Sequence, residues 1–359
     1  SSAASDVYKR QGFGAMFAGH LNPTVVEEIQ TSLATGMLFV TPSPISTDAA
    51  EMICKRFKID QVRFTNSGTE STMYAVRVAR SASDKMGILK VEGGYHGSYD
   101  PFVVSSKPAL EKAGDPEEPT PVIDSNLVAG DIYVVPYNNI PALEAMFEKN
   151  ASKIACFIVE PVLENLAIIL PDAGYLERVR ELCDEYNVIL IFDEVKTGLT
   201  AGAHGASVRL GVEPDLITLA KSIGGGVPLA AFGGKKKYMD FVTNGKMAHF
   251  GTFNGNPLAM AGVRAIDRLC SDQALADAEA LNQQALDRIS EIIDEYQLPA
   301  HTVGFGVKGC VTWSTTPVRN YRDYKATDFG IAEAHWLFAL NRGIITPPGL
   351  DEQWLISLA

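Results

Sequence analysis

VILIFDEV, residues 188–195, runs through five apolar side chains, Val188 to Phe192, before its first charge. A strand with one face in water alternates apolar and polar residues. An unbroken apolar run suits a strand covered by helices on both faces, as in a parallel sheet. Asp193 follows at the C-terminal end, where open α/β sheets bind ligands. An ionised carboxylate there needs a cation to offset its desolvation, and a protonated pyridine nitrogen is such a cation. A Walker B strand also reads as an apolar run followed by Asp-Glu. That reading requires a G-x-x-x-x-G-K-[ST] loop, and Lys235, after two glycines, lacks both the first Gly and the Ser or Thr. A dinucleotide fingerprint fails as well, because Phe17 stands where a third glycine should follow Gly12 and Gly14.

Strand-like stretches lie on both sides, several of them apolar on consecutive positions: QVRFTN (61–66), GILKVEG (87–93), IACFIVEP (154–161) and DLITLAK (215–221). Amphipathic stretches separate them, such as Leu176, Val179, Cys183 and Tyr186 at helical spacing. This alternation predicts an α/β domain over residues 45–270 with a largely parallel sheet. The segment 104–131, rich in prolines and acids, reads as a long surface loop. From about residue 272 the pattern changes. Leu275, Ala278, Leu281, Ala285, Ile289, Ile292 and Tyr296 predict one face of a long helix. Strand-like pieces around 303–313 and a helix near 331–341 follow. Residues 12–44 and 271–359 are therefore expected to form a smaller α+β domain with its N-terminal connection. The stretch 1–11 has no hydrophobic period and is expected to be an artefact or disordered, and both ends read as truncated.

Two further stretches carry chemistry. In TNSGTES (65–71) a strand ends and a helix begins, so unpaired N–H groups and the positive end of the helix dipole meet the hydroxyls of Ser67 and Thr69. Gly68 lets a ligand approach the backbone, and a phosphate fits there. The same residues also suit an ordinary capping box with Glu70. In DLITLAKSIGGG (215–226), Lys221 ends an apolar strand before three glycines that would let a flat ring lie close. A lysine so placed is partly desolvated, which makes its amine nucleophilic. The plain alternative is a surface lysine capping a strand.

The net charge of −12 argues against nucleic acid and anionic membranes as partners. Five dispersed cysteines (Cys54, Cys156, Cys183, Cys270, Cys310) suggest reduced thiols and a cytoplasmic protein. No histidine has metal-ligand spacing, and Arg319, Arg322 and Arg342 are candidates to read a substrate carboxylate but read first as solvated surface residues.

Taken in order, AGHLNP (18–23), RFTNSGTES (63–71), GGYHGSYD (93–100), VEPVLEN (159–165), IFDEVKTG (191–198), LAKSIGGGVPLAAFGG (219–234) and GTFNGNPLAMAG (251–262) resemble the class III aminotransferases of PLP fold type I, most closely the glutamate-1-semialdehyde aminomutase branch. The resemblance implies a mostly parallel seven-stranded-type sheet and pyridoxal 5′-phosphate (PLP) as cofactor. It implies that Lys221 attaches the cofactor through its amine and, once released, moves the substrate proton. Asp193 would pair with the pyridinium, Val195 would pack on one ring face, and Tyr95 would stack on the other with His96 in support. Ser67, Gly68 and Thr69 would bind the phosphate, completed by Thr252 from a neighbouring subunit in a homodimer with shared active sites. Asn165 matches a position near the ring hydroxyl, Glu160 a supporting partner, and Glu352 an active-site glutamate of the aminomutase branch. The chain departs from that branch at Leu199 and Thr200, where the branch carries an aromatic residue and an arginine. The expected function is ping-pong transamination between an amine or amino acid donor and a carbonyl acceptor. The alternatives are the aminomutase and a PLP-binding fragment without turnover.

Overall fold

The computed structural model describes residues 14–39, 41–123, 126–127, 130–344, 350 and 354–358. A seven-stranded sheet dominates it: β1 (Gln61–Thr65), β2 (Gly87–Val91), β3 (Ile132–Val135), β4 (Ile154–Val159), β5 (Ile189–Asp193), β6 (Leu216–Ala220) and β7 (Ala230–Gly234), in the order β1-β7-β6-β5-β4-β2-β3. The pairs β2·β3, β2·β4, β4·β5 and β5·β6 are parallel. β7 lies antiparallel to both β1 and β6, so it alone in this sheet runs against the rest. The C-terminal ends of the other strands therefore share one edge.

The consecutive apolar runs are explained by what each face meets. Ile189 and Ile191 of β5, with Cys156 and Ile158 of β4, pack beneath helix Gly68–Ser83 through Val76, Val78 and Ala79. Leu190 and Phe192, with Phe157 and Val159, face the opposite layer of helices Ile140–Asn150 and Tyr175–Glu185 through Leu143, Phe147, Leu176 and Val179. Each fully buried Leu, Ile, Val or Phe contributes about 1.5–3 kcal/mol by leaving water. With both faces covered, no polar alternation is possible.

A second sheet has three strands in the order β10-β9-β8, from β8 (His301–Phe305), β9 (Lys308–Thr312) and β10 (Trp354–Leu355). Helix Asp272–Glu295 packs on it. Its buried stripe is Leu275, Ala278, Asn282, Leu286 and Ile293, which corrects the expected face. Leu281, Ile292 and Tyr296 are exposed, because Asn282 turns inward to donate to the carbonyls of Gly306 and Lys308 at the β8–β9 turn. Arg322 is also corrected. It is not solvated but bridges Glu92, at 3.0 Å through both Nε and Nη2, to the carbonyls of Ala113, Gly114 and Asp115. That clamp holds part of the expected surface loop against the end of β2. Among the described residues no helix is long and apolar enough to cross a membrane.

Candidate active site

Four strand ends deliver the chemistry to one place. β1 ends before Ser67, β2 before Tyr95 and His96, β5 at Asp193 and β6 before Lys221. Between them lies a cavity of about 350 Å³ lined by Ser67, Gly68, Thr69, Tyr95, His96, Glu160, Asn165, Asp193, Val195 and Lys221, among others. Every residue expected at the site is there except two. Thr252 is exposed and lines a separate open depression with Phe39, Arg63 and His249. Glu352 lies outside the described residues.

Ser67 is the N-cap of helix Gly68–Ser83; its Oγ accepts the Glu70 N–H at 3.3 Å, and Glu70 Oε2 accepts the Asn66 N–H at 2.7 Å. The Ser67 cap and the cavity thus coexist, but Glu70 reaches past the N-cap to Asn66, so the reciprocal half of a capping box is not made. Thr69 Oγ1 accepts the Ser98 N–H at 3.2 Å. Both hydroxyls accept a backbone N–H, so each keeps its own O–H as a donor. At Gly68 a Cβ would sit 3.1 Å from Val195 Cγ1, so glycine keeps the first turn open toward the cavity. Gly97, at φ +102, lets the Tyr95–Ser98 loop lie on Thr69; a Cβ there would run into Thr69 Oγ1. Gly97→Ala is accordingly expected to cost about 2 kcal/mol or more in a urea titration. Wild-type stability would mean that the loop need not touch the helix.

Asp193 is buried and fully engaged. Its Oδ1 accepts from Val195 N at 3.1 Å and from Thr218 Oγ1 at 2.9 Å, and its Oδ2 meets His96 Nδ1 at 2.8 Å. An ionised carboxylate only accepts, so the His96 proton sits on Nδ1 and Nε2 is left as an acceptor. That Nε2 is buried without a partner among the described residues. Burial holds the His96 imidazole below its ordinary pKa; the hydrogen bond to Asp193 opposes this and nearby Lys90 adds to it. Lys90, fully buried on carbonyls of Phe102 and Val104, is itself lowered to about 7 by burial, against the pull of Glu160.

Glu160 accepts from Tyr95 N at 3.0 Å and from Asn165 Nδ2 at 2.8 Å. Burial, then the Asp193 charge, push it from 4.5 up to about 8. Between those values the folded chain holds a proton that the unfolded chain has released, so rising pH erodes stability there. Glu160→Gln removes that loss. In urea titrations without cofactor, the variant is expected to gain on wild type between pH 5.5 and pH 8.5. A constant difference would mean that Glu160 does not titrate in this range.

Lys221 opens a short 3₁₀ turn at φ +50. Such left-handed backbone costs a β-carbon residue about 1 kcal/mol. Strain of this kind recurs at functional sites.

Sequence reasoning missed Thr218, Thr72 and Lys196. Thr218 is the single hydroxyl of β6 and points at Asp193; a lone polar residue inside an apolar strand was the signal. Thr72 Oγ1 donates to the His96 carbonyl at 2.7 Å. Lys196, three residues after Asp193, also lines the cavity.

The profile of the family described as aminotransferase class-III matches residues 6–332. A glutamate-1-semialdehyde 2,1-aminomutase of Francisella philomiragia is 36% identical over 97% of this chain and 81% of its own length. One from Methanocorpusculum labreanum is 37% identical over 97% and 83%. Among solved structures, an omega-transaminase from Sphaerobacter thermophilus superposes with a TM-score of 0.92 at 30% identity, covering 97% of this chain and 81% of that one. A lysine-to-alanine variant of a glutamate-1-semialdehyde aminomutase from Pseudomonas aeruginosa, in complex with PMP, gives 0.86 at 26%, covering 97% and 78%.

Proposed function

The chain belongs to the class III aminotransferases, a family of PLP-dependent enzymes, and from that membership we propose a ping-pong transaminase with Lys221 and Asp193 at its centre. The cavity suits the cofactor: it offers helix N–H groups and two hydroxyls to a phosphate, a buried carboxylate to a ring nitrogen and an amine to a carbonyl. Its volume lies in the range of small-molecule sites. Bound there, PLP supplies an electron sink that weakens bonds at the carbon bearing the amine.

The remaining work falls to the chain. Asp193, oriented by Thr218, Val195 and His96, would hold the cofactor's ring nitrogen and keep a proton on it. Neutral His96 holds that carboxylate without cancelling its charge. Lys221 would hold the cofactor through its amine and, once released, would accept the substrate proton at one carbon and deliver it to the other. Tyr95 and Val195 line the cavity where they would flank the cofactor ring, and Asn165 and Glu160 where they would meet its hydroxyl. The meeting of Lys221 and Asp193 in one cavity carries this reading.

The test is a visible absorbance spectrum of the protein with PLP, before and after a panel of primary amines. A band that appears with PLP and shifts with a particular amine supports the reading and identifies the donor class. Failure to take up PLP would remove it.

A second reading is the aminomutase, favoured by the names of the relatives at 36–37% identity. It keeps both half-reactions on one molecule. Turnover of semialdehyde by the pyridoxamine-form enzyme, with no separate acceptor, would select it.

We also infer a homodimer in which Thr252 serves the neighbour's phosphate site. Phe250 and Phe253, 82% and 61% exposed on either side of Thr252, support this surface as buried by a second copy. Residues 45–270 are taken as the large domain and the second sheet with its helices as the core of the small one. The thiols fit a cytoplasmic enzyme: Cys156, Cys183, Cys270 and Cys310 are buried free cysteines, and burial pushes Cys156 and Cys270 up to about 12, which leaves them unreactive.

A further inference from the structure

We propose that Lys308 is a positioning residue: from the second sheet, through its buried ion pair with Glu164, it holds the loop that presents Asn165 to the cofactor cavity. The inference rests on the transaminase reading and adds that the hydroxyl edge of the site is set by the second sheet. The loop is closed by two hydrogen bonds between Leu163 and Ile169, at 3.0 and 3.1 Å, and runs through Glu164, Asn165, Leu166, Ala167 and Ile168. Ala167 and Ile168 stand at φ +65 and +77. Left-handed backbone is uncommon for any residue with a β-carbon, and an outlier for a β-branched one such as isoleucine. Two in succession persist only where the surroundings enforce them.

The enforcement comes from β9. Lys308 Nζ donates to Glu164 Oε2 at 2.6 Å, and Cys310 Sγ donates to the Ala167 carbonyl at 3.0 Å. Residues two apart on a strand point to the same face, so one face of β9 grips the loop at its start and at its strained end. Lys308 also donates to the Lys196 carbonyl at 2.9 Å, which ties the segment after Asp193 to the same ammonium. Both side chains of the ion pair are fully buried. Such a pair is seldom more stabilising than apolar side chains of equal volume; here it supplies a fixed geometry. That geometry is delivered to Asn165. Its Oδ1 accepts from Lys196 Nζ at 3.2 Å, and its Nδ2 donates to Glu160 Oε2 at 2.8 Å. An amide has two N–H donors, so one remains for the cavity that Asn165 lines, where it would meet the cofactor's ring hydroxyl. A donor at that oxygen favours its anionic form.

The experiment compares wild type, Lys308→Met, the double variant Glu164→Leu with Lys308→Met, and Cys310→Ala. Lys308→Met alone leaves a buried carboxylate without its cation and is expected to lose stability in urea. The double variant removes that charge and should return close to wild-type stability. In the cofactor-free double variant, amide exchange at Leu163 and Ile169 is expected to quicken about 10-fold or more relative to β5. With PLP bound, the pH midpoint of its visible band is expected to rise by about half a unit or more. The hydroxyl oxygen has then lost a donor and holds the proton it shares with the attached amine more tightly. Cys310→Ala loosens only the far end of the loop, so it should move both readouts the same way by less. It decides the question if the double variant does not fold. Wild-type exchange at the loop, or faster exchange with an unmoved midpoint, would overturn the proposal, because the ion pair would then be structural alone. PLP uptake is read first. A wild type without uptake removes the transaminase reading and this inference with it, whereas uptake with an unmoved midpoint in the variants removes this inference alone.

Discussion

Lys221→Ala is expected to fold, to bind PLP without the visible band of the covalent attachment, and to lose turnover by a factor of about 10³ or more. Three observations support the parts of this result separately. The fold should survive because Lys221 sits at φ +50, a backbone that strains alanine no more than lysine. PLP should still bind because the helix N-terminus at Gly68 and the Asp193 carboxylate remain. Turnover should fall because the same amine has two tasks, holding the cofactor and moving the proton, and no neighbour stands ready to take both. Lys196, the other lysine on the cavity wall, has its ammonium on the Glu164 carbonyl and Asn165 Oδ1 among its contacts. The readouts are absorbance for attachment, urea denaturation for stability and single-turnover mixing with the donor that the amine panel identifies. Full turnover in Lys221→Ala would sink the mechanism rather than adjust it.

The legible parts of the fold were those where one physical demand dominates. β4, β5 and β6 showed as apolar runs because helices cover both faces of the sheet, and β1 and β2 as strand-like stretches beside them. β3 and β7 were missed for different reasons. β3 is only four residues long and follows a loop without periodicity. β7, AAFGG, carries the two glycines that let it sit between β1 and β6, so its composition resembles a turn. The long helix was placed correctly but its face was not, because spacing counts Leu281 and Ile292 as apolar and cannot see that Asn282 has two buried carbonyls to satisfy.

At the site, the residues legible in sequence were those whose roles depend on a strand end: Ser67, Asp193 and Lys221. The hidden ones act across the chain. Thr218 reaches Asp193 from 25 residues away, Lys308 reaches Glu164 from 144, and Arg322 reaches Glu92 from 230. Nothing in local spacing reports such pairs. Lys196 was inside a quoted motif and still passed over, because a lysine after Asp-Glu-Val reads as solvated until its burial is known.

The Asp193→Asn variant tests the charge of the site rather than its shape. The amide fits the same space. With its oxygen toward Val195 N and Thr218 Oγ1, its NH₂ faces His96 Nδ1. His96 can meet that donor by moving its proton to Nε2, the buried atom that has no partner among the described residues. The cost is one unsatisfied N–H, about 1–3 kcal/mol, so the variant should remain folded and take up PLP. What it cannot do is offset a ring cation. Without a carboxylate beside it, the buried ring nitrogen loses its proton, and the electron sink weakens for every donor alike. Turnover is expected to fall at least about 100-fold, with PLP affinity changed far less and the loss in the chemical step rather than in donor binding. Single-turnover rates at saturating donor separate the two. If those rates match wild type while stability drops, Asp193 is a structural partner of His96 and Thr218, and the ring nitrogen finds its counter-charge elsewhere. If instead the rate falls and stability holds, the buried carboxylate is retained for the chemistry, which is what its three ordered donors suggest.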